Sequence, residues 1–595
     1  MTTSDRGDDD APSRLEANLA RIDALTQRLM QALARRKPTD PGVGGPSNEL
    51  FMKAASAYVA AMMQDPAKLM EQQVAYWGRT LRQAAAHQAA LAGGTFKAPE
   101  PDPALTDRRF SNPLWDTHPG FSFLKSQYLI NAEAVKDAVK QMDLDPREKA
   151  RVDYFARQIV DMFAPTNFLG TNPDALEKAV ATEGESLVQG LENLVADLES
   201  SNGELLVTLA DRKAFVLGQN IAATPGKVVF RNRMLELIQY TPTTETVHAT
   251  PLLIFPPWIN KFYVLDLKPA NSLIKWVVDQ GYTLFVVSWV NPDASFAEVG
   301  MDDYVEQGYL AAIDEVRRIT GQEQINAVGY CIAGTTLALT LSYLKSLGRD
   351  PVRSATFFTT LTDFSDPGEV GVFLAEDFLD GIGRQIDADG ILSRVFMAKT
   401  FSFLRSNDLI YAPAIKSYML GETPPAFDLL YWNGDGTNLP GKMAKEYLHG
   451  LCRDDGLARG TFAIKGRKVS LGDVTLPLCA IACETDHIAH WRGSFNGVRQ
   501  MGSGDKTFIL SQSGHIAGIV NPPSKDKYGH YTHPGPMTTA EAWREGAEFH
   551  SGSWWPRWGE WLAARSGPQV PARQPVPASI LCDAPGTFVS AVPGV

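Results

Sequence analysis

The chain has 595 residues, of which 44% are hydrophobic, and a formal net charge of −12. It is longer than one ordinary domain and apolar enough to bury a large core. The acidic balance argues against a nucleic-acid partner but is compatible with a local basic patch that binds an anionic substrate. The five cysteines are an odd and sparse set, which favours a reducing compartment over a disulfide framework.

The start of the chain has no recognisable targeting signal. Residues 1–12 are polar and acidic, and they lack the apolar run of a signal peptide. The chain also contains no uninterrupted apolar stretch of about 20 residues, so we expect no transmembrane helix. These features predict a soluble, cytoplasmic protein.

Residues 1–106 predict a disordered head followed by amphipathic helices. Apolar residues recur there at helical spacing in two stripes, each followed by a linker rich in helix-breaking residues. Packing against the rest of the protein is the favoured interpretation of the stripes, and docking on a partner helix or an apolar surface is the alternative. Residues 107–205 continue in long helical patterns and predict a helical N-terminal domain.

Residues 206–562 predict an α/β domain. Helical stretches alternate there with short apolar runs typical of strands, namely 252–255, 283–288, 325–330, 354–360, 477–482 and 507–510. This alternation predicts a parallel sheet covered by helices on both faces. The insertion 364–460 interrupts it, and we interpret that insertion as a cap over the carboxyl ends of the strands, where ligands bind. The Pro/Ala-rich tail, 563–595, is expected to wrap the surface.

The chain is organised around residues 324–347, where a strand-like run meets Gly329-Tyr330-Cys331 and a helical pattern follows at once. The nucleophile elbow of an α/β-hydrolase has the same order of strand, sharp turn and helix, with G-x-S-x-G at the bend. Cysteine takes the place of serine here. The start of the helix directs backbone N–H groups at the sulfur, which favours a thiolate and later an oxyanion. A small buried hydrophobe is the alternative interpretation of such a cysteine.

In an α/β-hydrolase the nucleophile is followed along the chain by an acid and then by a histidine. Asp486 comes directly after a strand-like run, and His515 follows the last run in a glycine-flanked loop. We therefore predict a triad in which Cys331 attacks, His515 moves protons and Asp486 orients the imidazole. A satisfied loop histidine is the alternative for His515. The predicted fold is an α/β-hydrolase fold with a cap insertion, preceded by a mainly helical N-terminal domain.

A second group of residues raises the alternative of a zinc site, and it consists of Cys479, Cys483, Asp486, His487 and His490. The two cysteines lie at even spacing inside an apolar strand, which places both on the same packed face. The spacing matches neither a C-x₂-C pair nor a helical H-x₃-H ligand set. We therefore expect cysteines of the core, with no metal and no cofactor.

The oxyanion of a tetrahedral intermediate needs backbone donors close to the nucleophile. We assign the first donor to Ile332, the residue after Cys331, and the second to Trp258, in the loop after an early strand. We expect Ile259, Asn260 and Ala333 to lie at the substrate site. An ordinary proline-stiffened turn is the alternative for the loop.

Several stretches of the chain resemble the polyhydroxyalkanoate synthases, which make storage polyester from 3-hydroxyacyl-CoA. The matching stretches are DRRFSNPLW (107–115), PTNFLGTNP (165–173), PPWINKFYVLDL (256–267), VSWVNPD (287–293), GYCIAGT (329–335), FDLLYWNGDGTNLP (427–440), ETDHIAHW (484–491), SGHIAGIVNPP (513–523) and GSWWPRWGEWL (552–562). The resemblance implies that Cys331 is the nucleophile, Asp486 the acid and His515 the base. One position departs from the family, whose box usually reads G-x-C-x-G-G, because Ala333 replaces the first of the paired glycines.

The resemblance also implies a function and partners. The chain is expected to polymerise (R)-3-hydroxyacyl-CoA, mainly short-chain monomers such as 3-hydroxybutyryl-CoA, as a large single-subunit enzyme of the class I type. The expected partners are the acyl-CoA, the growing polyester, the surface of cytoplasmic polymer granules, granule-associated proteins and a second copy in a homodimer. A cysteine-type α/β-hydrolase, such as a thioesterase or dienelactone hydrolase, and a non-catalytic granule-associated protein are the alternatives.

Overall fold

The computed structural model describes residues 14–35, 56, 66–92 and 107–591. Within them the chain forms two compact units. Unit 1 comprises the chain up to Leu209 together with Lys399–Pro425, and unit 2 comprises Ala210–Ala398 and the chain from Ala426 onward. The disordered head and the two linkers predicted from the sequence lie outside the described residues.

Unit 1 is helical. Up to residue 209 the described α-helices are Arg14–Ala34 (α1), Pro66–Ala92 (α2), Leu114–Thr117 (α3), Pro119–Lys140 (α4), Pro146–Met162 (α5), Pro173–Ala181 (α6) and Glu185–Ser200 (α7). Local sequence sets the starts of α5 and α6, where Asp145 and Asn172 accept hydrogen bonds from first-turn N–H groups ahead of a proline. Such caps satisfy N–H groups that the helix itself leaves unpaired. The predicted mainly helical N-terminal region is confirmed.

Helix α1 packs on α7 through apolar contacts and exposed ion pairs. Leu25 of α1 and Val195 of α7 belong to one buried apolar cluster. Arg21 reaches two glutamates of α7 at 2.7 and 2.8 Å, and Arg28 pairs with Glu199 at 2.7 Å. The apolar stripe of α1 is therefore used for packing along part of its length.

The rest of unit 1 comes from within the range of the predicted cap, 364–460. Residues 407–419 form a continuous run of helical turns. There the hydroxyl of Tyr418 donates a hydrogen bond to Asp197 of α7 at 2.6 Å. Gly190 permits this close approach, because a Cβ at that position would lie 2.0 Å from the Tyr418 carbonyl oxygen. The insertion is thus divided between the two units.

Unit 2 is built on one mixed sheet of 11 strands. In chain order these strands are Gly226–Arg231 (β1), Leu235–Tyr240 (β2), Leu252–Phe255 (β3), Leu284–Trp289 (β4), Ile325–Tyr330 (β5), Val352–Phe358 (β6), Leu478–Cys483 (β7), Lys506–Ser511 (β8), His530–Thr532 (β9), Glu548–His550 (β10) and Cys582–Asp583 (β11). Their order across the sheet is β10-β9-β8-β7-β6-β5-β3-β4-β2-β1-β11. Strands β3 to β8 are mutually parallel, and the flanking strands pair antiparallel.

The parallel strands coincide with the apolar runs predicted from the sequence. Each residue of β3, β4, β5 and β7 is buried, as expected for strands covered on both faces. The predicted α/β-hydrolase fold is confirmed. The antiparallel strands at the two ends of the sheet were not predicted. Strands β9, β10 and β11 are short, β1 is only partly buried, and Glu236 and Gln239 interrupt the apolar run of β2.

Helices separate the strands in sequence. From residue 210 onward the α-helices of five or more residues are Leu273–Asp279 (α8), Ala311–Thr320 (α9), Ile332–Ser346 (α10), Glu376–Asp389 (α11), Arg394–Leu404 (α12), Asp428–Asn433 (α13), Gly441–Lys445 (α14), Trp491–Gln500 (α15), Ala540–Glu545 (α16) and Trp555–Ala563 (α17). Helix α10 is buried on all sides from Ile332 to Leu344, the pattern of a helix enclosed by protein. Across the described ranges, no helix combines the length and the apolar character needed to cross a membrane.

Candidate active site

Cys331 lies at the sharp turn between β5 and α10. Its φ is 55° and its ψ is −127°, a strained conformation for a residue that carries a side chain. Two glycines permit the turn, since a Cβ at Gly329 would come within 2.5 Å of the Gly334 Cα. A Cβ at Gly334 would in turn lie 2.0 Å from the Thr360 Oγ1. Close packing of backbone therefore holds the thiol at the tip of an elbow, directly before a helix.

Asp486 and His515 lie in the loops that follow β7 and β8. The His515 Nδ1 and the Asp486 Oδ2 are 2.7 Å apart in a hydrogen bond, and both side chains are buried. The other carboxylate oxygen of Asp486 accepts hydrogen bonds from the backbone N–H groups of Ile488 at 2.8 Å and Ala489 at 2.9 Å. These bonds hold the carboxylate in one orientation, and the carboxylate in turn orients the imidazole.

The surroundings of His515 favour its protonated form. Burial lowers the pKa of the imidazole, but the charges of Asp486 and Cys331, with a hydrogen bond to each, outweigh burial and raise the pKa well above its usual value. The ring therefore interacts with the thiol of Cys331 as well as with Asp486. The structure brings these three side chains together at the carboxyl ends of parallel strands.

Two backbone N–H groups are available near the turn. Ile332 is the first residue of α10, so its N–H has no acceptor within the helix. Trp258 carries the first N–H after β3, because Pro256 and Pro257 have none. The indole Nε1 of Trp258 donates to the Thr336 Oγ1 of α10 at 3.2 Å. This contact fixes the loop after β3 to the helix that follows Cys331.

The three residues expected at the substrate site differ in exposure. Ile259 and Asn260 are half-buried, and the Ile259 carbonyl accepts a hydrogen bond from the N–H of Thr437 at 3.3 Å. Ala333 is fully buried, and its carbonyl accepts from the hydroxyl of Tyr309 at 2.7 Å. Ile259 and Asn260 thus retain surface for a ligand, whereas any influence of Ala333 passes through packing around the elbow.

Two tyrosines that the sequence did not point to pack against residues of the candidate site, Tyr330 on His515 and Tyr447 on Trp258. The ring of Tyr330 stacks on His515 with centroids 5.9 Å apart, and its hydroxyl donates to the His515 carbonyl at 3.3 Å. Burial, then the charges of Cys452 and Cys331, raise the pKa of Tyr447 well above its usual value. Tyr330 directly precedes Cys331 in the sequence, and this adjacency could have identified it as a residue near the candidate site. Tyr447 lies far along the chain, in the insertion, and no sequence pattern connects it with Cys331.

Cys479 and Cys483 are fully buried in β7 and belong to the main apolar cluster. Burial raises the pKa of each thiol, which makes it a poor nucleophile and a poor metal ligand. Among the residues that the structure describes, no group of three or more His, Cys, Asp or Glu side chains is arranged to hold a metal ion. The two cysteines are part of the hydrophobic core.

Two family models match overlapping ranges of the chain. Residues 106–277 match the model described as the N-terminus of poly-beta-hydroxybutyrate polymerase (PhaC). Residues 246–522 match the model of the alpha/beta hydrolase fold. The second match spans β3 to β8 and includes Cys331, Asp486 and His515.

Relatives that align with most of the chain are named poly(3-hydroxyalkanoate) polymerases. The chain is 38% identical over 597 residues to the poly(3-hydroxyalkanoate) polymerase subunit PhaC of Rhizobium meliloti, covering 97% of this chain and 95% of the relative. It is 39% identical over 538 residues to the poly(3-hydroxyalkanoate) polymerase of Methylorubrum extorquens, with 89% and 87% covered. For the subunit PhaC of Cupriavidus necator the identity is 39% over 515 residues, with 84% and 85% covered. The resemblance found in the sequence is confirmed, and the chain belongs to the poly(3-hydroxyalkanoate) polymerase family, as an acyltransferase on an α/β-hydrolase fold.

Proposed function

We propose that the protein polymerises (R)-3-hydroxyacyl-CoA into polyhydroxyalkanoate and releases CoA through an acyl group bound to Cys331. Short-chain monomers such as 3-hydroxybutyryl-CoA are its preferred substrates. One observation carries the proposal: the buried His515 is hydrogen-bonded to Asp486 at 2.7 Å, and Cys331 acts on the same imidazole. This arrangement provides a nucleophile, a proton carrier and an orienting acid.

In the first half-reaction Cys331 gives its proton to His515 and attacks the thioester carbonyl carbon as a thiolate. The backbone N–H groups of Ile332 and Trp258 donate hydrogen bonds to the oxyanion of the tetrahedral intermediate. The bond to the CoA sulfur then breaks, and the leaving thiolate takes the proton from His515. One thioester replaces another, so the step is close to balanced in free energy.

In the second half-reaction a 3-hydroxyl group attacks the acyl group on Cys331. His515 removes the hydroxyl proton, the ester bond forms, and the proton passes to the departing sulfur of Cys331. A hydroxyl is a weaker acid than a thiol, so this half depends more strongly on the base that Asp486 supports. His515 is 7% exposed, so little water reaches the base directly.

The proposal places the protein in the cytoplasm at the surface of polymer granules, as a homodimer and beside granule-associated proteins. Helix α2 supports attachment to an apolar surface. Met70, Val74, Trp77 and Leu81 recur along it at helical spacing and are between 56% and 70% exposed. Exposed apolar patches of this kind mark sites of association.

Incubation with 3-hydroxybutyryl-CoA tests the proposal. CoA release with polymer supports it, CoA release with free 3-hydroxybutyrate indicates a thioesterase, and no release indicates a non-catalytic granule-associated protein. Mass spectrometry of the quenched reaction should find the acyl group on Cys331. Monomers of graded chain length test the preference for short chains.

A further inference from the structure

The C-terminal tail of the described chain extends the main sheet of unit 2. Strand β11 pairs antiparallel with β1 at the edge of that sheet. The N–H of Leu581 donates to the Val228 carbonyl, and the N–H of Ala584 donates to the Gly226 carbonyl, each at 2.9 Å. The tail is therefore fixed to the sheet by backbone hydrogen bonds before its last residues turn towards the core.

A buried carboxylate holds those last residues. Glu236 of β2 is fully buried, and its Oε2 accepts hydrogen bonds from the N–H groups of Thr587 at 2.9 Å and Phe588 at 3.0 Å. Its Oε1 accepts from the Thr587 hydroxyl at 2.7 Å and from the Arg231 Nε at 2.8 Å. A buried charge requires such partners, so the tail and Glu236 stabilise each other. These bonds determine where the next residue, Val589, lies.

Val589 directs its side chain into the main apolar cluster and its carbonyl at a buried lysine. Its side chain is 1% exposed. The carbonyl accepts a hydrogen bond from the Lys261 Nζ, and Lys261 also pairs with Asp435 at 3.3 Å. Because Lys261 is only 7% exposed, these partners replace hydrogen bonds that its ammonium group would make to water.

Lys261 ends the loop that contains the proposed second oxyanion donor. The Lys261 carbonyl accepts a hydrogen bond from the Trp432 Nε1 at 2.7 Å, and the Trp258 carbonyl accepts from the Thr437 Oγ1 at 3.0 Å. The insertion thus holds the backbone at both ends of the loop, and the tail holds its lysine side chain. A displacement of Lys261 would shift the nearby N–H of Trp258.

We propose that the tail positions the oxyanion donor, through the hydrogen bond from Lys261 to the Val589 carbonyl. This inference rests on the proposed function, in which the N–H of Trp258 stabilises the oxyanion. Lys261 and Val589 are positioning residues that act through the loop and do not touch the substrate. Their effect on rate follows from geometry, because a misplacement of about 1 Å costs about 10²-fold in rate.

Two reactions of Cys331 distinguish a misplaced donor from a damaged nucleophile. Alkylation by iodoacetamide needs the thiolate but forms no oxyanion, so it reports on Cys331 and His515 alone. Acylation by 3-hydroxybutyryl-CoA, followed as CoA released in a single turnover, needs the oxyanion donors as well. Peptide mass spectrometry assigns alkylation to Cys331 among the five cysteines.

Lys261→Met retains an unbranched side chain of similar length but removes its donor. We expect CoA release in a single turnover to fall about 10- to 100-fold, with alkylation of Cys331 at the wild-type rate. Lys227→Met is the matched control. Lys227 pairs with Asp583 of the same tail at an exposed position on β1, so both reactions should stay at wild-type rates.

A chain that ends at Phe588 provides a second variant. It lacks the Val589 carbonyl but retains the bonds from Thr587 and Phe588 to Glu236. We expect the same separation of the two reactions as in Lys261→Met. If alkylation and CoA release fall together in both variants, the contact is only structural and the proposal is wrong. Unchanged CoA release in both variants would also overturn it.

The wild-type chain tests the underlying function independently. If wild-type protein releases no CoA, or carries its acyl group on a residue other than Cys331, the proposed function fails before any variant is compared. If the wild type behaves as proposed and Lys261→Met matches it in both reactions, only the role of the tail is wrong.

Discussion

One ion pair of unit 1 and two carboxylates of unit 2 differ in how deeply they are buried. In unit 1 the side chains of Arg28 and Glu199 pair while 50% and 35% exposed. In unit 2 the carboxylates of Asp486 and Glu236 are fully buried. An exposed pair is worth about 0–1 kcal/mol, whereas removing one partner of a buried pair costs about 3–5 kcal/mol. The proposed catalysis and the docking of the tail therefore both depend on a few buried charges, whereas the pairing of α1 with α7 tolerates change.

The largest effect is expected at Cys331, the proposed nucleophile. Cys331→Ala should abolish CoA release and leave the circular dichroism spectrum unchanged, and Cys331→Ser should be severely impaired because an alkoxide forms far less readily than a thiolate. Cys582→Ala, at the half-buried cysteine of β11, is the matched control and should turn over normally. Normal turnover in Cys331→Ala would rule out the covalent mechanism.

The buried pair of His515 and Asp486 should give unequal losses. His515→Ala should suppress both acylation and elongation, because each step moves a proton through this imidazole. Asp486→Asn should still permit acylation of Cys331 while elongation falls further, since the 3-hydroxyl has a far higher pKa than the thiol. The measurements are CoA release in a single turnover and steady-state polymer formation. Equal loss of both steps in Asp486→Asn would contradict this division of roles.

The same pair should make stability depend on pH. Burial lowers the pKa of His515, but Asp486 and then Cys331 raise it well above its usual value. The stability that this raised pKa contributes is fully present below the unfolded value of about 6.5 and is lost as pH rises through the folded pKa. The stability difference between wild type and Asp486→Asn, measured by urea unfolding, should therefore be largest at low pH and shrink as pH rises. A constant difference across the series would show that the pair does not titrate in this way.

Removal of residues 1–106 should test whether unit 1 takes part in the chemistry. We expect Cys331 to be acylated at the wild-type rate, because the proposed triad and the proposed oxyanion donors all lie in unit 2. Stability of unit 1 should fall, since Val195 of α7 loses the cover of Leu25, and attachment to granules should weaken. A truncated chain that stays folded but cannot acylate Cys331 would show that the N-terminal region belongs to the active site.

The smallest effect is expected at the exposed pair between α1 and α7. Arg28→Ala should lower the free energy of unfolding by about 0.2–1 kcal/mol, because solvent screens a pair of this exposure. Glu199→Ala should do the same, and a double-mutant cycle in urea gives the coupling between them. A coupling energy of several kcal/mol would show that this exposed pair stabilises the protein as much as the buried charges of unit 2 do.

The fold of the catalytic domain was predictable where a pattern of neighbouring residues indicates the element. Continuous apolar runs identified the parallel strands, because a strand covered on both faces has little room for polar residues. The antiparallel strands were missed because each lacks a long continuous apolar run, and in β2 Glu236 and Gln239 interrupt it. Strand β1 is only partly buried and β11 has two residues, so neither carries a run that stands out from a loop.

The candidate site was predictable in part. Gly329 and Gly334 mark the elbow, and chain order led to Asp486 and His515, which the structure brings together with Cys331. Tyr447 was not predicted, because its packing against Trp258 depends on how the insertion folds back. The roles of Ile332, Trp258, Ile259, Asn260 and Ala333 stay predictions that the proposed experiments address.

The sequence by itself determined the features whose physics is confined to neighbouring residues. These are the strand-turn-helix at Cys331, the capped helices of unit 1 and the apolar strands of the sheet. Only the tertiary structure decided the contacts of Glu236 with Thr587 and of Lys261 with Val589, whose partners are separated by most of the catalytic domain. A buried charge does not specify its partner locally, because any suitably placed donor or acceptor satisfies it, and which one arrives depends on the packing of the whole unit.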